Sequence, residues 1–474
     1  MDRNRLPLLL GLLLSFALAD IAHLGAAEGT KPNVLVILAD DLGYADTGFQ
    51  GCVDIPTPHL DRLATAGVRC TNGYVTHPFC SPTRAALMTG RYQHRFGHEN
   101  NPFYDPNDHR EGLPLSEKLL PEYLRSAGYA TGWIGKWHLG AAPEFHPLRR
   151  GFTETFGFLG GGHTFLRKKV DSTIEYQIPI ERNGQPVEIT DHLTLDFGRE
   201  GAAFVRRHAS EPWFLYLAFN APHNPQEPTP ERLAQFESIA DKKRRGYAAQ
   251  VSLMDDAIGN VLSAMRATGQ ERRTLVFFLS DNGGPITLGS PNGSRNTPLR
   301  GGKGELYEGG VRVPFLVSWP DKLPQGSTYD LPVSSLDVFA TALPAAGVPM
   351  PPKDRYDGVD LLPFLNGANP HAPHDRLFWR MGSAQWAARG DTLKQIRFRN
   401  GKEEFYDLAD DIAETKNVAN VREKEAKALS ADLDAWDKTL VAPAFPGLAG
   451  RPEAQAKAKD KKTKAARRKA LVEP

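Results

Sequence analysis

The feature that most constrains this chain is a set of short apolar runs, each breaking off into polar residues and a loop with Gly or Pro. Asn33–Leu38 leads into Ala39-Asp40-Asp41, and Tyr129–Ile134 into Gly135-Lys136-Trp137-His138. Trp213–Phe219 leads into Asn220-Ala221-Pro222-His223, and Thr274–Leu279 into Ser280-Asp281-Asn282-Gly283-Gly284. A fifth run, Val313–Trp319, carries Pro314, which suits an edge or a strand start. Runs without polar alternation fit strands buried on both faces, as in a parallel sheet. Helical spacing appears between them, over Leu115–Ala127 and over Arg244–Thr268, where Val251, Met254, Ile258, Val261, Leu262 and Met265 form one broad stripe. This alternation predicts an α/β fold: a large, mostly parallel mixed sheet sandwiched by helices.

Ligands of such sheets sit beyond the carboxyl ends of the strands. Four of the runs end in Asp, Lys, His or Asn, so their endings are expected to converge on one site. After about residue 370 the pattern changes. Leu377–Met381, Gln385–Ala388, Leu393–Phe398 and Glu404–Leu408 read as short antiparallel strands, and Val421–Thr439 as a helix. The expected organisation is a catalytic domain over 31–370 and a smaller C-terminal α+β subdomain over 371–447, a short antiparallel sheet plus a helix.

Across 474 residues the formal net charge is +1, which makes no case for a nucleic-acid partner. The basic charge is local: within 457–474, Lys457, Lys459, Lys461, Lys462, Lys464, Arg467, Arg468 and Lys469 stand against two acids, Asp460 and Glu473. A segment so charged and so poor in apolar surface predicts disorder over 448–474. At the other end, Arg3 and Arg5 precede a leucine-rich stretch, Leu6–Ala19, too short to span a membrane comfortably. Residues 1–27 therefore read as a secretory signal, cleaved after Ala19 or, preferably, Ala27. The mature protein is expected to be exported, periplasmic or secreted, without a transmembrane segment. Three cysteines, Cys52, Cys70 and Cys80, make no disulfide framework, and pairing of Cys52 with Cys70 stays open.

The most specific chemistry lies in Cys80-Ser81-Pro82-Thr83-Arg84, followed by Thr89-Gly90-Arg91. Pro82 suits the first turn of a helix and Gly90 its end. Cys80 would then occupy a helix N-terminus, where backbone N–H groups favour an anion, with Arg84 one turn on and facing the same way. Asp40, Asp41, Asp281 and Asn282 offer only hard oxygen donors, which suit Ca²⁺ or Mg²⁺ better than Zn²⁺.

Cys-x-Pro-x-Arg with a following Thr-Gly-Arg resembles the signature of type I, formylglycine-dependent sulfatases of the alkaline phosphatase superfamily. The resemblance extends through Leu38–Tyr44, Thr57–Arg62, Gly132–Gly140, Ser280–Gly284, Phe405–Leu408 and Glu414–Asn417. It implies a sulfuric ester hydrolase in which a separate maturation enzyme oxidises Cys80 to formylglycine. It implies Ca²⁺ more than Mg²⁺, held by Asp40, Asp41, Asp281 and Asn282 with residue 80 completing the coordination. The hydrated aldehyde would attack sulfur, form a covalent sulfo-enzyme and expel sulfate. By the same resemblance His138 is the base, Arg84 and Lys136 hold the hydrate, and His223 and Lys303 bind sulfate and assist the leaving oxygen. His94–Asn100 and Gly160–His163 are candidates for the pocket rim, with His163 a candidate substrate contact. The expected substrate is a sulfate ester, by analogy a sulfated glycan. Two alternatives stand beside it: a phosphate or phosphonate ester hydrolase of the same superfamily, and an inactive sulfated-glycan-binding protein.

Overall fold

All seven residues of β1 (Asn33–Ala39) are buried, and its six apolar side chains divide between two separate apolar layers. Val34, Val36 and Leu38 join one core cluster, while Leu35, Ile37 and Ala39 join the other. That is the signature of a strand covered on both faces, and it explains why its sequence shows no polar alternation. The computed structural model describes residues 31–166, 170–171, 174–286 and 291–447. The signal over 1–27 and the tail over 448–474 lie outside the described residues.

The strands following β1 are β2 (Val68–Cys70), β3 (Gly73–Tyr74), β4 (Ala130–Lys136), β5 (Glu154–Phe158), β6 (Ile180–Arg182), β7 (Gln185–Val187), β8 (Trp213–Ala218), β9 (Thr274–Ser280), β10 (Phe315–Ser318), β11 (Ser327–Tyr329) and β12 (Val333–Ser334). Ten of these twelve form one sheet in the order β11-β2-β10-β9-β1-β8-β4-β5-β6-β7, and β3 pairs with β12 separately. The centre, β9-β1-β8-β4-β5, is parallel. β10 runs antiparallel to β9 on one side, and β6 antiparallel to β5 on the other. The sheet is thus mixed and mostly parallel, as the runs imply. β10 begins one residue after Pro314, whose missing N–H fits a strand start rather than a ladder position.

Helices α1 (Pro58–Thr65), α2 (Cys80–Thr89), α3 (Leu120–Ser126), α4 (Leu193–Arg207), α5 (Lys242–Ala267) and α6 (Asp337–Ala345) supply the covering layers. Buried residues of α1, α4 and α5 pack on one face, and those of α2, α3 and α6 on the other. α3 is shorter than its apolar spacing suggests. Pro121 fits only a first turn, and Glu122 Oε2 accepts from Leu119 N–H at 2.8 Å, which fixes the start at Leu120.

Beyond residue 370, β13 (Leu377–Met381), β14 (Gln385–Arg389), β15 (Leu393–Phe398) and β16 (Glu403–Asp407) form an antiparallel sheet in sequence order. Helix α7 (Glu423–Asp437) packs beside it, burying Leu429, Leu433 and Trp436. Trp379, Ala387, Ile396 and Tyr406 share a buried cluster with Val36 and Tyr216 of the large sheet, so the small sheet extends the main core. Among the described residues no helix is long and apolar enough to cross a membrane. Cys52, Cys70 and Cys80 are separate thiols.

Candidate active site

Parallel register is what assembles this site. Ala39 of β1 pairs with Ser280 of β9, and Leu38 of β1 with Ala218 of β8. Ala218 in turn pairs with Gly135 of β4. Four neighbouring strands therefore end level, and residues at or just past their ends meet: Asp40 and Asp41, Asp281 and Asn282, Lys136 and His138, and His223. Asp41 has φ 65° and His138 φ 59°, left-handed conformations uncommon outside glycine, though Asp and His are among the side chains that adopt them most readily. Gly283 has a different reason: a Cβ there would lie 1.7 Å from the Gly309 carbonyl oxygen, so the turn after Asn282 needs glycine.

Helix α2 brings in the remaining groups. It starts at Cys80 after an extended Phe79 and ends at Gly90, φ 67°; all ten of its residues are buried. Cys80 Sγ stands 3.5 Å from Asp40 Oδ1 and 3.4 Å from Lys303 Nζ. One turn on, Arg84 donates from Nε and Nη2 to Asp281 Oδ2 at 3.0 and 2.7 Å, and from Nη1 to the Lys136 carbonyl at 3.2 Å. Lys136 Nζ donates to Asp40 Oδ2 at 2.6 Å. Lys303 Nζ lies 2.7 Å from Asp41 Oδ1, and His223 Nε2 3.6 Å from Asp41 Oδ2. Asn282 Nδ2 donates to Asp41 Oδ1 at 2.7 Å.

Electrostatics follow from burial opposed by pairing. Burial alone would raise Asp40, but Lys136, His223 and Arg84 hold it below the usual carboxylate range. Burial likewise opposes Asp41, which Lys303 and His223 hold low. Burial and then Asp281 push the Cys80 thiol up to about 12. Burial, reinforced by Lys136, Arg84 and Lys303, drives His138 well below its ordinary value. Burial also lowers His223, against the pull of Asp40 and Asp41. Lys303 stays charged: burial lowers it, and Asp41 with its neighbours raises it well above the usual value.

The donor set fits a hard divalent cation. Ligand atoms of Asp40, Asp41, Cys80 and Asp281 lie within 4.8 Å of one another, and all four residues are buried. Asn282 Oδ1 is buried without a hydrogen-bond partner among the described residues, an orphan acceptor suited to a cation. The buried acids Asp40, Asp41 and Asp281 are matched by the buried cations Arg84 and Lys136 and by the partly exposed Lys303. A divalent ion added to that balance leaves the site positive toward an anionic substrate.

The rim residues behave differently. His163 is buried, with Nδ1 2.6 Å from the Thr164 carbonyl and Nε2 2.8 Å from the Ile178 carbonyl, so its ring edge is turned to backbone. His94, His98 and Glu99 are buried rather than lining an open surface: His98 meets Ser81 of α2, while His94 and Glu99 meet Arg380. Tyr176 carries no sequence pattern to mark it, and the fold stacks it on His223 with ring centroids 6.2 Å apart and planes at 26°. Ser81 sits inside the Cys80 motif, and its contacts with His98 and His138 emerge only in three dimensions.

Comparison with known proteins accords with this geometry. The Sulfatase family model matches residues 32–348, and a second, N-sulphoglucosamine sulphohydrolase, C-terminal, matches 302–438. The chain is 37% identical over 405 residues to N-acetylgalactosamine-6-sulfatase of Homo sapiens, covering 81% of this chain and 73% of that protein. It is 34% identical over 493 residues to steryl-sulfatase of Mus musculus, covering 82% and 76% respectively. A solved structure of Ps i-CgsB in complex with k-i-k-neocarrahexaose superposes with a TM-score of 0.82 at 35% identity, covering 88% of this chain and 95% of that one. With its strand-end acids, its buried Cys80 helix and these relatives, the chain belongs to the sulfatase family and is a sulfuric ester hydrolase.

Proposed function

We propose that this hydrolase removes sulfate from sulfated carbohydrates, with residue 80 matured to formylglycine and a calcium ion held by Asp40, Asp41, Asp281 and Asn282. The observation that carries this reading is the setting of Cys80. A soft sulfur sits 3.5 Å from Asp40 Oδ1 among hard oxygen donors, where an oxygen-bearing side chain would suit a hard ion far better. When bound, the ion supplies Lewis acidity and the hydrated aldehyde supplies the oxygen that accepts the sulfuryl group.

The chain's own residues complete the chemistry. Arg84, fixed by its paired donation to Asp281, holds positive charge beside residue 80. Lys136, fixed on Asp40, does the same from the end of β4. Lys303 lies between Asp41 and residue 80, where it can meet sulfate oxygens as negative charge develops on them. His138, held unprotonated by burial and by Lys136, presents a ring nitrogen with a free lone pair to the site, the form a proton acceptor needs. His223 has Nδ1 2.6 Å from the Asn224 carbonyl, which fits an N–H there and leaves Nε2 toward Asp41 and the leaving oxygen. The sugar assignment rests on relatives whose names specify N-acetylgalactosamine-6-sulfate chemistry and neocarrahexaose binding. Export, and action of the maturation enzyme on Cys80, belong to the same reading and rest on Arg3–Ala27 and on Cys80–Arg84.

The test is co-expression with a formylglycine-generating enzyme, mass spectrometry of the residue-80 peptide, and assay on matched aryl sulfate, aryl phosphate and sulfated oligosaccharides. The expected outcome is an aldehyde at residue 80, preference for sulfate, and sulfate release from at least one oligosaccharide. Full activity with an intact cysteine would overturn the nucleophile, and a higher kcat/KM on phosphate would overturn the assigned ester.

A further inference from the structure

His138 occupies the left-handed region at φ 59°, yet its ring does nothing to hold it there. Both imidazole nitrogens are buried without a hydrogen-bond partner among the described residues. The backbone is held instead. His138 N–H donates to the Leu159 carbonyl at 3.1 Å, and the His138 carbonyl accepts from Ser81 Oγ at 2.6 Å. Ser81 Oγ is also 2.6 Å from His98 Nε2, and His98 Nδ1 is 3.3 Å from the Gly112 carbonyl. Ser81, His98 and His138 are all buried, so no solvent competes for these bonds.

Proton counting fixes the direction of the chain. Three contacts join Gly112 O, His98, Ser81 and His138 O, and a neutral imidazole plus a hydroxyl supply two protons. Burial lowers His98 to about 4, so the ring is neutral. One contact must therefore lack a proton, and the longest, at 3.3 Å to Gly112, is the one that tolerates it. Placing the gap at either 2.6 Å contact would press two lone pairs together. The order is then His98 Nε2–H to Ser81 Oγ–H to the His138 carbonyl.

We propose that Ser81 and His98 are positioning residues for His138: this relay locks the His138 carbonyl in its left-handed turn and so sets the direction of the imidazole. The far side of the ring is shaped to receive it, since a Cβ on Gly161 would come within 2.8 Å of His138 Nε2. The inference rests on the reading of His138 as the proton acceptor. It gives Ser81, at the first of the two unspecified positions of the Cys80 motif, a task in the folded enzyme, apart from any part in maturation.

Ser81→Ala leaves Cys80, Pro82 and Arg84 in place, so aldehyde content can be scored separately by mass spectrometry. At matched aldehyde content, Ser81→Ala is expected to lower kcat about 10- to 100-fold, with KM within about twofold, the pattern of a misaimed catalytic group. His98→Leu should fall equally, whereas His98→Gln, which can present an amide N–H to Ser81, should retain most of the turnover. A readout independent of turnover is nitrogen NMR of histidine-labelled protein carrying unmodified Cys80, in which His98 should bear its proton on Nε2. Parental kcat in Ser81→Ala or His98→Leu, or a His98 proton on Nδ1, overturns the proposal. If Ser81→Ala does not fold, the two His98 variants and the tautomer decide. Parental turnover in His138→Ala would instead remove the base assignment, while the tautomer measurement still reports on the relay.

Discussion

Lys136 Nζ stands 2.6 Å from Asp40 Oδ2, and neither side chain has any exposed surface. Removing one partner of such a pair strands the other charge, which costs about 3–5 kcal/mol in buried pairs. Lys136→Met should therefore lower the unfolding temperature. It should also reduce aryl-sulfate turnover by roughly 10²-fold or more, as loss of a donor near developing charge does. Thermal unfolding and steady-state kinetics on the matured variant measure both. Unaltered turnover would take Lys136 out of the chemistry.

The oxygen donors around Asp41 predict metal-dependent stability even before maturation. A ligand that binds only the folded state stabilises it by about 2.7 kcal/mol at one hundred times its Kd. Protein treated with a chelator should melt lower, and added Ca²⁺ should restore the melt. Asp281→Asn should weaken that recovery, because it removes a charge from the donor cluster. A melting curve indifferent to Ca²⁺ and Mg²⁺ alike would sink the metal assignment.

His77 predicts acid sensitivity. It is buried with both ring nitrogens unpartnered among the described residues, and burial lowers it to about 3. The unfolded chain takes up this proton near pH 6.5, while the folded chain refuses it until far lower pH. Stability is thus fully present above pH 6.5 and drains away as pH falls toward 3, by up to a few kcal/mol for a fully buried shift of this size. His77→Leu should shrink the difference in denaturant midpoint between pH 8 and pH 5. An undiminished difference would assign the acid sensitivity elsewhere.

Tyr176 predicts a split between substrates. Its ring stacks on His223, the side chain proposed to assist the leaving oxygen. Aromatic rings in that position suit a sugar face more than they suit sulfate itself. Tyr176→Ala should raise KM for a sulfated oligosaccharide about tenfold, the worth of one good stacking contact at ~1.4 kcal/mol. The same variant should alter KM for a small aryl sulfate much less. Equal effects on both would deny Tyr176 a part in substrate choice.

Much of this enzyme could be read along the chain. Continuous apolar runs such as Asn33–Leu38 have no polar face to turn to water, so they announce a sheet covered on both sides. Their abrupt endings at Asp40, Lys136, His223 and Asp281 put ionisable groups at strand ends, and hydrogen-bond register brings those groups together. Local turn chemistry was equally legible: Pro82 and Gly90 bracket α2, and Cys80 begins that helix. α3 proved shorter than its apolar spacing, because Pro121 and the Glu122 cap set its start more firmly than periodicity does.

Other features have no local signature. Nothing in the order of residues ties Ser81 to His98 or to the His138 carbonyl, and a left-handed backbone at His138 cannot be inferred from a histidine between Trp137 and Leu139. His163 sits beside three glycines that suggest an open rim, yet the fold turns its ring to the Thr164 and Ile178 carbonyls. Tyr176 reaches His223 across 47 residues of chain with no periodic pattern to foretell it. Periodicity and turn propensity act over a few residues, so they can be read in one dimension. Proton sharing, burial of charge and ring stacking depend on groups that meet only after the sheet has closed its register.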